Sequence, residues 1–122
     1  MKNKISELAR LNHMHEALGH IMQFTNGLTY EEYSQDFKLR LALLKLLEIV
    51  GEAARFIGDD TRLKFSDIEW ETLYVVRNIL VHEYFGVDYA IIWRAIQEKV
   101  PTLHEKPSVI IQQTDNQGYS VD

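Results

Sequence analysis

The chain has 122 residues, of which 46% are hydrophobic and 25% charged, with no cysteine and a formal net charge of −5. These values predict one folded cytoplasmic domain, because they exclude disulfides, the N-terminus lacks the apolar stretch of a secretory signal, and no apolar run could cross a membrane. The acidic balance also excludes broad phosphate neutralisation, so a nucleic-acid site would need local positive charge.

The first predicted helix extends from about Asn3 to Thr25. Apolar residues recur there at three- and four-residue steps, which is the pattern of one helix face. The Asn-Gly pair that follows predicts the helix end, since both residues tolerate the left-handed backbone conformation. Thr29 and Glu32 have capping-box spacing, and this predicts a short helix after the turn.

A second long helix is predicted from about Asp36 to Ile57. Its apolar surface is wide, so we expect a central helix that contacts neighbours on more than one side. Gly51, Ala53 and Ala54 are small and would let one of those neighbours approach closely. The Gly-Asp-Asp sequence at residues 58–60 predicts a break in the helix.

Two further helices are predicted after this break. Ser66 with Glu69 has capping-box spacing and predicts a third helix that ends before Gly86. A fourth helix extends from about Tyr89 to Lys99, and Pro101 kinks or stops it. The prediction is therefore a helical domain of residues 1–106 and a polar C-terminal tail of residues 107–122, either mobile or an arm for a partner.

Polar residues cluster in the stretch RNILVHEYF, residues 77–85. On a helical wheel with Arg77 at zero, Asn78 falls at about 100°, His82 at about 140° and Tyr84 at about −20°. Most apolar residues of this helix take the complementary arc, so the polar groups share one side. Arg77 and His82 nevertheless diverge by about 140°, so either the helix loosens near its end or a second copy supplies the other half of a site.

These residues resemble the R-x4-H-x-Y signature of HepT-like toxins in the HEPN superfamily. The resemblance covers most of residues 5–105, with Glu69 where the family has proline and with a C-terminal segment unlike the family's continuing helix. Further segments match in order, namely residues 49–53 (I-G-E-A), 68–70 (I-P-W), 85–88 with Trp93 (F-G-V-D…W) and 100–103 (L-P-x-L).

The resemblance implies an all-α, four- or five-helix up-down bundle of HEPN type. It implies a metal-independent endoribonuclease toxin of a type VII HEPN/MNT toxin–antitoxin pair, without a cofactor. The implied assembly is a homodimer in which two signature helices border one cleft, or a larger hetero-oligomer with the antitoxin. That antitoxin is an MntA-like minimal nucleotidyltransferase, which silences the toxin by transferring AMP to the signature tyrosine, here Tyr84.

Cleavage of RNA by its own 2′-OH needs a proton acceptor, a proton donor and cationic groups for the phosphorane charge. Histidine exchanges protons near neutral pH, and arginine offers a charged fork that matches phosphate oxygens. We therefore expect His82 to transfer protons, Arg77 to bind the phosphate, and Asn78 to orient His82 from one turn away.

Simpler interpretations stay open at several positions. Clustering alone would more often mean a solvated helix face than a site. Glu52 could support Arg77 or His82, but an exposed carboxylate or a structural ion pair is equally compatible with the sequence. Glu83 is a second candidate for a supporting residue, and it points toward the apolar side of the helix. Trp70 and Trp93 are expected to be core anchors.

Two alternatives concern function. Histidines at positions 13, 15 and 20 could indicate a metal site, but they lack a consistent i, i+4 ligand spacing, so we predict no metal. The alternative function is a non-catalytic HEPN protein that binds nucleotides or scaffolds a nucleotidyltransferase. The acidic charge favours this alternative, whereas the intact set of Arg77, His82 and Tyr84 disfavours it. A helical dimerisation module is a third, weaker possibility.

Overall fold

The computed structural model describes residues 4–82, 86 and 88–116, and the side chains of residues 7–78, 80, 86 and 88–112. This part of the chain is helical and contains no strand, which confirms the predicted all-α class. The helices are α1 (Lys4–Thr25), α2 (Tyr30–Gln35), α3 (Phe37–Arg55), α4 (Asp59–Lys64), α5 (Trp70–His82) and α6 (Tyr89–Asn116).

The ends of the first two helices follow the local sequence. After α1 ends at Thr25, Gly27 has a φ of 75°, the left-handed conformation that favours glycine. At the start of α2, the hydroxyl of Thr29 accepts a hydrogen bond from the Glu32 amide at 3.1 Å, and the Glu32 carboxylate accepts one from the Thr29 amide at 3.0 Å. The predicted turn and capping box are confirmed.

The long helix α3 also begins as predicted, because the carboxylate of Asp36 accepts a hydrogen bond from the Leu39 amide at 3.0 Å. Carbonyl groups at its C-terminal end accept hydrogen bonds from a side chain outside the helix. The Arg62 guanidinium donates to Ala54 O at 2.9 Å and to Ile57 O at 3.0 Å. A positive group at the negative end of a helix is favourable, so Arg62 stabilises the end of α3.

Two boundaries in the middle of the chain differ from the prediction. The predicted break after α3 is present, because Gly58 is not helical, but Asp59 and Asp60 then begin the short helix α4, which the sequence did not predict. Such a helix is too short for a periodic apolar pattern to reveal it. Helix α5 begins at Trp70, so Ser66 is not its cap, and Asp67 instead pairs with Lys106 of α6.

The predicted end of the last helix is wrong. Helix α6 continues through Pro101 and Pro107 to Asn116. Each proline removes one helical hydrogen bond, but its fixed φ is compatible with the helix, and Pro107 and Ile110 are fully buried against the bundle. Packing therefore outweighs the lost hydrogen bonds. Residues 117–122 lie outside the described residues, and a partner-binding role for residues 107–122 stays a prediction.

The helices pack in a defined order. Helix α1 packs against both α3 and α6, α5 packs against the other side of α3, and α2 packs against α3. Helix α3 therefore lies between α1 and α5, as the wide apolar surface predicted. None of the helices in the described ranges is long and apolar enough to cross a membrane. The fully buried residues at the centre include Leu11, Met14, Leu18, Ile21, Tyr33, Leu43, Val50 and Ile57.

Candidate active site

Helices α3 and α5 come unusually close to each other at Gly51. A Cβ atom at this position would lie 2.6 Å from the backbone oxygen of Leu73, and it would overlap the Cβ of Arg77. Only glycine permits this approach, as the small residues of α3 predicted. The contact also holds the base of Arg77 against α3, so this arginine does not project from a fully solvated face. Val75, by contrast, is 45% exposed although the wheel places it in the apolar arc.

Arg77 forms an ion pair with Glu52 of α3. The distance from Nε of Arg77 to Oε2 of Glu52 is 2.9 Å, with 23% and 31% of the two side chains exposed. The N–H group is not aligned for a hydrogen bond, and both atoms are buried with no hydrogen-bond partner among the described residues. The attraction is therefore electrostatic. Of the alternatives that the sequence left open for Glu52, the structure shows the pairing with Arg77.

Asn78 holds the other end of the same guanidinium. Nη1 of Arg77 donates a hydrogen bond to Oδ1 of Asn78 at 2.9 Å. Arg77 is thus fixed at two points, by a carboxylate on α3 and by an amide oxygen on its own helix. Asn78 was expected to orient His82, and its observed acceptor role is toward Arg77.

The remaining predicted residues cannot be placed in this geometry. His82 is the last residue of α5, and the structure describes its backbone but not its side chain. Glu83 and Tyr84 lie outside the described residues. Contacts of His82 with Asn78 or Arg77 are therefore not tested. Proton transfer by His82, a supporting role for Glu83 and modification of Tyr84 stay predictions.

Two further residues, which the sequence did not single out, lie next to the site. The Nη1 atom of Arg55 lies 3.5 Å from Oε1 of Glu52, and its guanidinium carbon lies 5.8 Å from the centre of the Tyr74 ring. Arg55 and Arg77 therefore flank Glu52 from two helices. Their spacing was a usable signal, because Arg55 follows Glu52 by three residues and Tyr74 precedes Arg77 by three, which places each pair on one helix face.

The histidines considered for metal binding lie elsewhere in the bundle. His15 and His104 stack with their ring centres 4.3 Å apart, and the Nδ1–H of His15 donates to the His104 carbonyl at 3.1 Å. Burial lowers the pKa of His104, and the neighbouring His15 adds to this effect. Within the described ranges, no group of three or more His, Cys, Asp or Glu residues could hold a metal ion.

The site is not an enclosed pocket within one chain. A cavity of about 390 Å³ lies between α5 and α6, with Leu73, Val76 and Leu103 among the residues that line it. Arg77, Glu52 and Asn78 are not part of that lining. The paired arginine follows the lining residue Leu73 by one turn of α5, at the contact with α3 near Gly51.

Comparison with known proteins adds to what the geometry shows. The family model of the HepT-like ribonucleases matches residues 14–110, which includes Arg77, Asn78 and His82. A Methanocaldococcus jannaschii protein named "Putative RNase" is 36% identical over 95 residues. The alignment covers 78% of this chain and 87% of that protein.

A second similar protein, "Probable ribonuclease HepT" of Thermococcus cleftensis, is 35% identical over 91 residues, covering 75% of this chain and 83% of that protein. No solved structure matches the chain significantly. The match to the family model spans most of the helical bundle, from α1 into α6. The chain therefore belongs to the HepT-like ribonuclease family.

Proposed function

We propose that this chain is a metal-independent endoribonuclease, the toxin of a type VII HEPN/MNT toxin–antitoxin pair, and that it acts in the cytoplasm as a homodimer. The main support is Arg77, which Glu52 and Asn78 hold in one orientation on the helix that bears the R-x4-H signature. A fixed guanidinium is suited to phosphate, because its planar fork matches two phosphate oxygens and needs no reorientation when the transition state forms.

In the proposed reaction, Arg77 binds the non-bridging oxygens of the phosphate that is to be cleaved. His82 accepts the proton of the neighbouring 2′-OH while that oxygen bonds to phosphorus and the bond from phosphorus to the 5′-oxygen breaks. The histidine of the second copy donates a proton to the leaving 5′-oxygen. The products are a 2′,3′-cyclic phosphate and a 5′-hydroxyl, with one proton taken up and one released.

Replacement of His82 tests this chemistry. A His82→Ala variant is expected to lose about 10²- to 10⁴-fold in the rate of RNA cleavage, because a proton-transfer group contributes on this scale. Its circular dichroism and thermal midpoint should match those of the original chain, and cleavage by the original chain should persist in EDTA. Full activity of His82→Ala would contradict the proposed mechanism. Loss of RNA cleavage by the original chain in EDTA would contradict its metal independence.

The proposed partner is an MntA-like nucleotidyltransferase that transfers AMP to Tyr84. On the wheel, Tyr84 is almost in line with Arg77, about 20° away. An attached AMP would add a phosphate that competes with RNA for the guanidinium. Incubation with the antitoxin and a nucleotide should increase the toxin's mass by one AMP and stop cleavage, whereas Tyr84→Phe should stay unmodified and active. Modification of the Phe variant would contradict the assignment.

A non-catalytic scaffold is the competing function, and the net charge of −5 favours it. Expression without the antitoxin separates the two proposals. Growth arrest with RNA breakdown supports the toxin. Harmless accumulation of folded protein, with no cleavage of purified RNA, supports a scaffold for a nucleotidyltransferase.

A further inference from the structure

Arginine and aromatic side chains alternate across three helices next to Arg77. We call this set the arginine–aromatic strip, and it consists of Arg10 on α1, Arg55 and Phe56 at the end of α3, and Tyr74 and Arg77 on α5. The guanidinium carbons of Arg10 and Arg55 lie 4.0 and 5.6 Å from the centre of the Phe56 ring, and that of Arg55 lies 5.8 Å from the Tyr74 ring.

The strip concentrates positive charge on an acidic protein. Arg55 and Arg77 both contact the carboxylate of Glu52, and the chain as a whole has a net charge of −5. Arg10 forms no ion pair with any described residue, and it shares the Phe56 ring with the like-charged Arg55. Two guanidinium groups around one ring repel each other, so an anion that binds to both is favoured. This is the local positive charge that a nucleic-acid site on this protein requires.

One acidic side chain near Arg10 in sequence is directed toward α4. The carboxylate of Glu7, one turn before Arg10, accepts hydrogen bonds from the Gly58 amide and the Thr61 hydroxyl. Asp59 and Asp60 are exposed in the first turn of α4, three and four residues after Phe56. The strip is therefore followed in sequence by acidic residues, and Arg77 is its end on α5.

The strip extends from the signature helix away from His82. Because Glu52 contacts Arg77 while Arg55 lies beside Tyr74, α3 and α5 are antiparallel, and the strip leads toward the N-terminal end of α5. It then crosses α3 to α1. Packed helices are about 8–10 Å apart, so three adjacent helices give a strip about 16–20 Å across, long enough for several nucleotides.

We infer that the arginine–aromatic strip binds single-stranded RNA on one side of the phosphate to be cleaved, which specifies the substrate class of the proposed ribonuclease and rests on that proposal. The arginines would bind successive phosphates, and the rings of Tyr74 and Phe56, both partly exposed, would stack on bases. The rings favour RNA over an acidic polypeptide, which offers charge but no bases. Unpaired bases are required, since the bases of a duplex are stacked on each other.

Substitution of Arg10 is the cleanest test, because Arg10 is remote in sequence from the signature and does not contact Glu52. Binding of fluorescent oligouridylate is measured in the His82→Ala background, and cleavage of a long RNA and of a dinucleotide is measured with His82 present. Arg10→Gln should weaken oligouridylate binding on the order of tenfold and lower the salt dependence of log Kd by about 0.7, the value for one phosphate contact on a single strand.

Arg94→Gln is the matched control. Arg94 is exposed on α6, five residues after Tyr89, whose ring lies 4.5 Å from the Arg40 guanidinium near the start of α3. That end is about 22 Å from Arg55 along α3. The control should bind and cleave like the original chain. Phe56→Leu keeps an apolar side chain but removes the ring, and it should weaken RNA binding without changing the salt dependence.

The strip and the ribonuclease proposal fail in different ways. Unchanged oligouridylate affinity in Arg10→Gln, or equal affinity for polyglutamate and oligouridylate, overturns the strip while dinucleotide cleavage stands. A third outcome also overturns the strip: Arg10→Gln changes the molar mass measured by light scattering but leaves the RNA affinity unchanged. The strip would then be a protein interface. If dinucleotide cleavage is absent from the original chain, the proposed function itself fails.

Discussion

At the scale of single residues, the interaction that defines the site is between Glu52 and Arg77. A carboxylate beside a phosphate-binding arginine reduces its positive charge, so Glu52 must contribute something else if the site is to bind RNA. The Nε and Oε2 atoms lie 2.9 Å apart and have no hydrogen-bond partner among the described residues, so the ion pair restricts the direction of the guanidinium. We therefore expect Glu52 to act as a positioning residue rather than as a group that contacts RNA.

Glu52→Gln tests this role because it keeps the shape and removes the charge. We expect kcat for RNA cleavage to fall about tenfold with little change in KM, since a mobile guanidinium still binds phosphate but stabilises the transition state less well. The thermal midpoint should change little, because the two side chains are partly exposed and such pairs contribute about 1 kcal/mol or less.

The control for this prediction is Glu48→Gln. Glu48 precedes Glu52 by one turn of α3, is 30% exposed and pairs with Lys45 at 3.5 Å, so it repeats the chemistry without contact to Arg77. Its kcat should match that of the original chain. An equal kcat in Glu52→Gln, or equal losses in both variants, would show that the ion pair does not position Arg77.

The same residues show what a single sequence can and cannot predict about the site. The periodicity of α5 identified Arg77 and Asn78 as members of one polar group, and the small residues of α3 predicted the close contact at Gly51. The sequence left Glu52 open as a partner of Arg77 without deciding it, and it did not single out Arg55, because both residues reach the site from another helix. Which carboxylate meets which arginine depends on the packing of α3 against α5, and a helical wheel treats each helix alone.

At the scale of whole elements, the largest error concerns the end of the last helix. The four long helices, the turn at Gly27 and the cap at Thr29 follow from local patterns, and all are present. Helix α6 was predicted to stop at Pro101 because proline disfavours helix interiors, yet tertiary contacts at Pro107 and Ile110 extend it. Local rules thus predicted that these helices exist, but they did not predict where tertiary packing ends this one.

The contact between α1 and α6 contains the stacked pair His15 and His104. Pro107 leaves the Leu103 carbonyl without its helical hydrogen bond, and the next carbonyl, that of His104, accepts the Nδ1–H of His15. The interaction links the two helices close to the proline. The ring centres lie 4.3 Å apart, and this close neighbour adds to burial in lowering the pKa of His104.

This contact predicts a fold that weakens in mild acid. Burial and His15 lower the pKa of His104 in the folded state, so around pH 6.5 the unfolded chain binds more protons and the free energy of unfolding rises with pH. The stability is fully present above about pH 6.5, the unfolded pKa of histidine, and is lost as pH falls through the lowered folded pKa. Urea unfolding from pH 8 to pH 5 measures this slope.

His104→Gln should reduce the pH dependence of the unfolding free energy, since glutamine does not titrate. His13→Gln is its control, because His13 is exposed on α1 and lies outside the stacked pair. That control should keep the original slope. A slope in His104→Gln equal to that of the original chain would mean that other groups cause the acid sensitivity.

At the scale of the whole molecule, we expect one chain to present only part of a catalytic site. Arg77 lies on α5 beside α3, and neither Arg77 nor its partners line the cavity of about 390 Å³ between α5 and α6. On the wheel, Arg77 and His82 diverge by about 140°, so a regular helix cannot direct both at one phosphate. A two-fold dimer solves this problem, because the arginine of one copy can face the histidine of the other.

Mixing two inactive variants tests whether the proposed site is shared. Arg77→Ala and His82→Ala should each be inactive as homodimers, whereas co-refolding them in equal amounts should place about half of the chains in mixed dimers. In one arrangement a mixed dimer brings an intact arginine and an intact histidine together across the cleft. The mixture should then cleave RNA faster than either homodimer but at least about 10²-fold more slowly than the original chain, because a mixed dimer still lacks the histidine that protonates the leaving 5′-oxygen. Activity that stays at background, in a mixture that light scattering shows to contain dimers, would mean that each chain must supply both groups itself, and the loosened end of α5 would then be the only way to bring them together.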